Sequence, residues 1–440
     1  MHIPIKPMHE SPARRSLLAV NAAAAARLRP ALRLIFCGAL SLALAASSIA
    51  QQPLSLVDAS QRGADLYQQS AVTGMVLVVV RNREVLVKTY GETYPGSGRA
   101  PDANSLIRIC SISKVFTAGL LTQLAAEGKV GLSDPLQRYA PPRKTVPQGA
   151  DGTPITLFNL ATHTAGLPRE VSAYPARTPH FTFPDEAFRW TWLPGQKLIS
   201  TPGTAALYSN IGFDLLGDAL ASATHMSYAQ LLHDRLLQPL DMWDTTLAPS
   251  SEQCARLLRG TGKEGPCTDT QPSGPSGGVY STATDMVKLL QYLLHVPGSP
   301  AQPAVALAVY LKPQQLVSVQ GLNHAGDPTG IGLGWIQLGD PASPSVVMEK
   351  TGGGAGFETY IALSPQRQTG IFLAVTEAKG KNKGKGKAHV DFYQESNNLL
   401  AALAYVPPIP QKVHLARAAR KHPKPHGRKR ATRPASPPAK

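Results

Sequence analysis

The sequence predicts an α+β layered fold, a sheet with helices on it and a helical region inserted between its first and last strands. Two observations carry this. Short β-branched apolar runs open the chain and return only after residue 340, and the segment 130–300 between them reads as helices and long loops dense in Pro and Gly. A third bounds the class. The chain has 440 residues and a formal net charge of +16, yet residues 51–410 hold 28 basic and 27 acidic side chains. A nearly neutral body of this length can bury a large core, which argues against a disordered chain, a small disulfide scaffold or a nucleic-acid-binding domain.

Taken in order, residues 1–50 read as a signal peptide. Arg27, Arg29 and Arg33 form a basic flank, an apolar run from Leu34 to Ala46 follows, and Ser48 and Ala50 frame a cut before Gln51. The alternative, an uncleaved anchor, would need ~20 apolar residues to span a bilayer. Residues 54–69 predict an opening helix. Runs 74–82 and 84–90, joined at Asn82-Arg83, predict a β-hairpin. Val115, Leu120, Leu121 and Leu124 give a helical stripe over 111–128, stopped by Gly128. Strand signals return at 345–349, 358–363 and 369–376, and a closing helix is expected over 390–404. The lysine/glycine run from Lys379 to Lys387 reads as a flexible loop. Residues 407–440, rich in Pro, Lys, Arg and His, read as a disordered basic tail that an anionic membrane or wall polymer could attract. Neither run interleaves aromatics, so no nucleic-acid partner is expected.

If Cys37 leaves with the signal, Cys110, Cys254 and Cys267 remain. An oxidising compartment would permit a Cys254–Cys267 disulfide, leaving Cys110 as a small buried residue. The 12 histidines are scattered and no CxxC or HExxH pattern occurs, so neither a metal nor another cofactor is expected.

Three short patterns carry candidate chemistry. In Ser111-Ile112-Ser113-Lys114 the i and i+3 positions share a helix face, so the lysine amine can approach the serine hydroxyl and, if burial lowers its pKa, serve as its base. Tyr208-Ser209-Asn210 offers a phenol that can relay a proton and an amide that can hold both lysine and substrate. Lys350-Thr351-Gly352-Gly353 falls where a strand signal ends. Its glycines would let a substrate backbone lie alongside, with Lys350 and Thr351 offered to a carboxylate. Taken singly, each has a plain structural explanation: a helix cap, a turn tyrosine, a basic turn.

Their order and spacing resemble the serine β-lactamase and penicillin-binding protein superfamily, in which the serine is acylated. The Tyr-x-Asn second motif is similar to the class C-like branch. So are Leu160 to Pro168 and Leu124 to Val130, while Thr182-Phe183-Pro184, Trp190 to Leu193 and Tyr208 to Leu216 look like AmpH-type D-alanyl-D-alanine carboxypeptidase/endopeptidases. The resemblance spans about residues 55–405. It implies a β-lactamase/transpeptidase-like antiparallel sheet flanked by helices, a hydrolase domain over 51–406, and a periplasmic enzyme acting on peptidoglycan peptides and binding β-lactams. It further implies Ser111 as nucleophile, with Lys114 and Tyr208 sharing the proton. Asn210, Lys350, Thr351 and Gly353 would bind substrate, and the N–H groups of Ser111 and Gly353 would form an oxyanion hole worth ~3 kcal/mol per donor. A class C β-lactamase or esterase would use the same site, and a non-catalytic penicillin-sensing protein is the reading from another class. Gly274-Pro275-Ser276-Gly277-Gly278 also satisfies G-x-S-x-G. That elbow needs a strand before the serine, and the preceding Thr270 to Ser273 carry no strand signal, so the segment is expected to be a flexible loop.

Overall fold

A computed structural model describes residues 53–172, 174–260, 264–300, 304–376 and 390–407. The expected signal peptide, the Lys379–Lys387 run and all of the basic tail except Pro407 lie outside the described residues.

An eight-stranded antiparallel sheet organises the molecule. In chain order its strands are β1 (Gly74–Arg81), β2 (Glu84–Gly91), β3 (Val309–Leu311), β4 (Gly330–Gly332), β5 (Ile336–Leu338), β6 (Val347–Gly354), β7 (Phe357–Ser364) and β8 (Thr369–Thr376). Their spatial order is β2-β1-β8-β7-β6-β5-β4-β3. The opening hairpin therefore joins the closing strands through β1 and β8, with Leu77 opposite Leu373.

Helices cover both faces, which is why β1 reads as a continuous apolar run rather than an alternating one. Val76, Val78 and Val80 face one core with Leu120, Leu124, Leu289 and Leu290, whereas Met75, Leu77 and Val79 face another with Ala59, Leu399 and Leu403. The first set belongs to helices α2 (Ser113–Ala126) and α4 (Ala283–Leu293), and the second to α1 (Leu56–Gln69) and α5 (Phe392–Ala404). Ser55 caps α1 by accepting from Asp58 N–H at 3.1 Å, and Asp391 caps α5 by accepting from Tyr393 and Gln394 N–H. In the middle region, α3 (Asn210–Thr224) carries Asp218, which pairs with the buried Arg189 at 3.0 Å. Cys254 and Cys267 sulfurs stand at bonding distance, 2.05 Å. Among the described residues, no helix is long and apolar enough to cross a membrane.

Three expectations need correction. The strand expected over 345–349 begins at Val347 and runs on to Gly354, because Gly352 and Gly353 pair with Thr359 and Glu358 of β7. Glycine weakens a strand's own preference, but pairing with a full-length neighbour overrides it. The helix expected from residue 111 starts at Ser113, after a 3₁₀ turn over Cys110–Ile112. The Gly274–Gly278 segment is no flexible loop. All five residues are buried in a single π-helical turn against α2 and α3. The missing side chains that make it look like a loop are what admit it to the core.

Candidate active site

The 3₁₀ turn at the head of α2 carries Ser111. It is preceded by Cys110 at φ +52°, a left-handed backbone that few non-glycine residues adopt. Cys110 is buried, as expected, and its thiol donates to the Gly354 carbonyl at 3.2 Å. Ser113 is excluded as a nucleophile by its partners. Its hydroxyl donates to Cys110 O at 2.7 Å and accepts from Val279 N–H at 3.0 Å.

One turn on, Lys114 shares the face of Ser111. Its Nζ donates to Ser111 Oγ at 3.4 Å, to Asn210 Oδ1 at 2.6 Å and to Ser276 O at 2.5 Å. Burial lowers its pKa to about 7, against the pull of Asp214 and Glu170, and Arg169 lowers it further. The G-x-S-x-G decoy thus contributes a main-chain carbonyl, and its hydroxyl is spent on Ser273 O at 3.4 Å.

Tyr208 enters from the opposite side. It follows Ala206–Leu207, which pairs in parallel with Val319–Gln320, and Ser209 caps α3 by accepting from Gly212 N–H. The phenol donates to Ser111 Oγ at 2.7 Å. Three cations sit around its ring, with centroid distances of 4.7 Å for Arg169, 4.9 Å for Lys114 and 5.3 Å for Lys350. His163 stacks against it at 4.6 Å. That imidazole accepts from Ser209 N–H through Nδ1 and is held neutral, its pKa pushed well down by burial and by the nearby cations.

The third wall is β6. Lys350 is 3% exposed and donates to Thr351 O at 2.9 Å and to Thr351 Oγ1 at 3.4 Å. Gly352 lets the strand touch the serine turn, since a Cβ there would lie 2.6 Å from Ile109 O. A Cβ on Gly353 would meet nothing within 4 Å, so this residue borders open space.

Ser111, Lys114, Tyr208 and Asn210 are therefore in direct hydrogen-bond contact, with Lys350 beside the Tyr208 ring and Thr351 held by Lys350. Gly353 lies on the same strand as these last two. Sequence reasoning missed Asp214, Glu170, Arg169 and His163. Asp214 Oδ1 accepts from Ser276 N–H at 3.1 Å, and its carboxyl is raised to about 7 by burial, against the pull of Arg189. Its signal was available: an acid on the buried face of α3 among Phe213, Leu215 and Leu216. Glu170, which accepts from Asn210 Nδ2, lies in a loop and gave none. Among the described residues, no cluster of His, Cys, Asp and Glu could hold a metal ion.

This constellation can activate a hydroxyl and stabilise negative charge beside it. The D-alanyl-D-alanine-carboxypeptidase/endopeptidase AmpH of Escherichia coli (strain K12) is 40% identical over 353 residues, covering 78% of this chain and 91% of that protein. The crystal structure of a β-lactamase/D-alanine carboxypeptidase from Yersinia pestis complexed with citrate superposes with a TM-score of 0.74 at 38% identity, covering 80% of this chain and 99% of that one. A class C β-lactamase from Rhodobacter sphaeroides shares the fold, with a TM-score of 0.62 at 22% identity over 78% of this chain and 98% of that one. The Beta-lactamase family profile matches residues 59–394, and with the folded architecture this places the chain in the Beta-lactamase family.

Proposed function

We propose that the protein is an exported serine D-alanyl-D-alanine carboxypeptidase/endopeptidase that cleaves peptidoglycan peptides through an acyl-enzyme on Ser111. The observation that carries this reading is a single hydroxyl gripped by two proton carriers: Ser111 Oγ contacts both Tyr208 OH and the buried Lys114 Nζ. With its pKa lowered, Lys114 is partly neutral near pH 7 and can take up a proton, directly or through Tyr208. Oγ then bonds to the carbonyl carbon of the D-Ala-D-Ala peptide, the C–N bond breaks, and the proton passes to the leaving amine. Ser111 and Gly353 N–H groups stabilise the oxyanion. Asn210 holds Lys114 and meets the acyl amide, while Lys350 and Thr351 face the terminal carboxylate. Water releases the acyl group and restores the serine.

Export to the periplasm fits the basic-then-apolar N-terminus and a Cys254–Cys267 disulfide. The cationic tail would add attraction to an anionic membrane or wall polymer. A class C β-lactamase differs only in how fast water attacks the acyl-enzyme. The discriminating experiment supplies a muropeptide ending in D-Ala-D-Ala and, separately, a cephalosporin. Release of D-alanine with slow cephalosporin turnover is expected. Fast cephalosporin turnover without D-alanine release would contradict the reading and favour the β-lactamase.

A further inference from the structure

One aromatic ring at the mouth of this cleft has no part in the scheme above. Phe181 has φ +66°, a left-handed backbone that is a genuine outlier for a bulky residue and persists only where its surroundings impose it. Its carbonyl accepts from Ser273 N–H at 3.3 Å, which ties it to the start of the buried glycine-rich turn. Its ring fills space that Gly277 leaves open and reaches contact distance of Gly354. A Cβ on Gly277 would lie 2.5 Å from Phe181 Cε1, and one on Gly354 would lie 3.8 Å from its Cζ. Gly277 follows Ser276, the residue whose carbonyl holds Lys114. Gly354 follows Gly353. The ring thus bridges the support of the base and the end of β6, and it is half-buried against the main core, with the rest open to solvent.

The direction of β6 gives the ring a side. A substrate lying along this strand sets its terminal carboxylate near Lys350 and Thr351 and its scissile carbonyl at Gly353 N–H. The acyl portion then continues past Gly354, about 3.3 Å further along the strand. We infer that Phe181 is a specificity-determining wall on the acyl side of the cleft, which admits slender acyl groups and rejects bulky ones. The inference rests on Ser111 being the acylated residue. The strained backbone fits the role, because the hydrogen bond to Ser273 and the space left at Gly277 hold the ring in one place.

The test measures acylation rates of the full chain with two penicillins of one nucleus, a slender phenylacetyl form and a bulky dimethoxybenzoyl form, in competition with a fluorescent penicillin. Phe181→Ala should raise the bulky-to-slender rate ratio roughly tenfold or more, the scale of a steric change in an apolar pocket. Phe181→Leu, which keeps most of the volume and guards against loss of folding, should fall between. An unchanged ratio in both variants, with Ser111 still acylated, would overturn the wall alone. No acylation of Ser111 in the natural protein would overturn the underlying reading and the wall with it.

Discussion

Lys114 can act as a base because it is 0% exposed. A charged amine away from water is costly, so its pKa falls, and Asp214 opposes the fall. Asp214 is faced by Lys114 from α2, by Arg189 from the short helix Glu186–Trp192, by Asp218 on its own helix, and by Tyr174 and Tyr228. If the neutral amine accepts the proton, as proposed, acylation should rise as pH increases through about 7. Asp214→Asn keeps an oxygen for Ser276 N–H but removes the charge that supports Lys114⁺. Its acidic limb should therefore move to lower pH, as read from fluorescent-penicillin acylation rates across the neutral range. A limb that stays in place would show that Asp214 has only a packing role. At this scale the sequence was most legible where residue types are few and fixed. Ser111, Lys114, Tyr208 and Asn210 stand in short patterns, whereas Glu170 and Phe181 act through loop geometry that leaves no periodic trace.

Among elements, β6 couples stability to chemistry through adjacent glycines. Gly352 faces Ile109 O across 2.6 Å of would-be Cβ contact, and Gly353 faces open space. Gly352→Ala should push β6 off the serine turn and destabilise the fold by about 1–3 kcal/mol, as overpacking does. Gly353→Ala should stay within about 0.5 kcal/mol of the natural protein. Denaturant midpoints of the two variants check this, and equal midpoints would show that the strand does not abut the turn as described. Element legibility follows the same logic. The valine run of β1 and the helices α1 and α5 are local signals and were expected within two residues of their bounds, whereas the caps Ser55 and Asp391 were not read. The three-residue strands β3, β4 and β5 are too short for any period to emerge, and the glycine-rich half of β6 is a strand only because β7 pairs with it.

For the whole molecule, closure of one sheet by its first and last strands brings the site together. The β1–β8 pairing joins residues about three hundred apart, and the same sheet carries Lys350 to Gly353 to the head of α2 while the helical middle delivers Tyr208 and Asn210. Charge counts located the neutral body and the basic ends, but they could not show that a proline- and glycine-rich turn, Gly274–Gly278, lies buried against that site. The convergence on one hydroxyl is tested most directly by mass spectrometry of the intact protein after exposure to penicillin, followed by peptide mapping. One adduct per chain on Ser111, abolished by Ser111→Ala and retained in Ser276→Ala, is the expected result. An adduct on Ser113 or Ser276, or none on any serine, would contradict it.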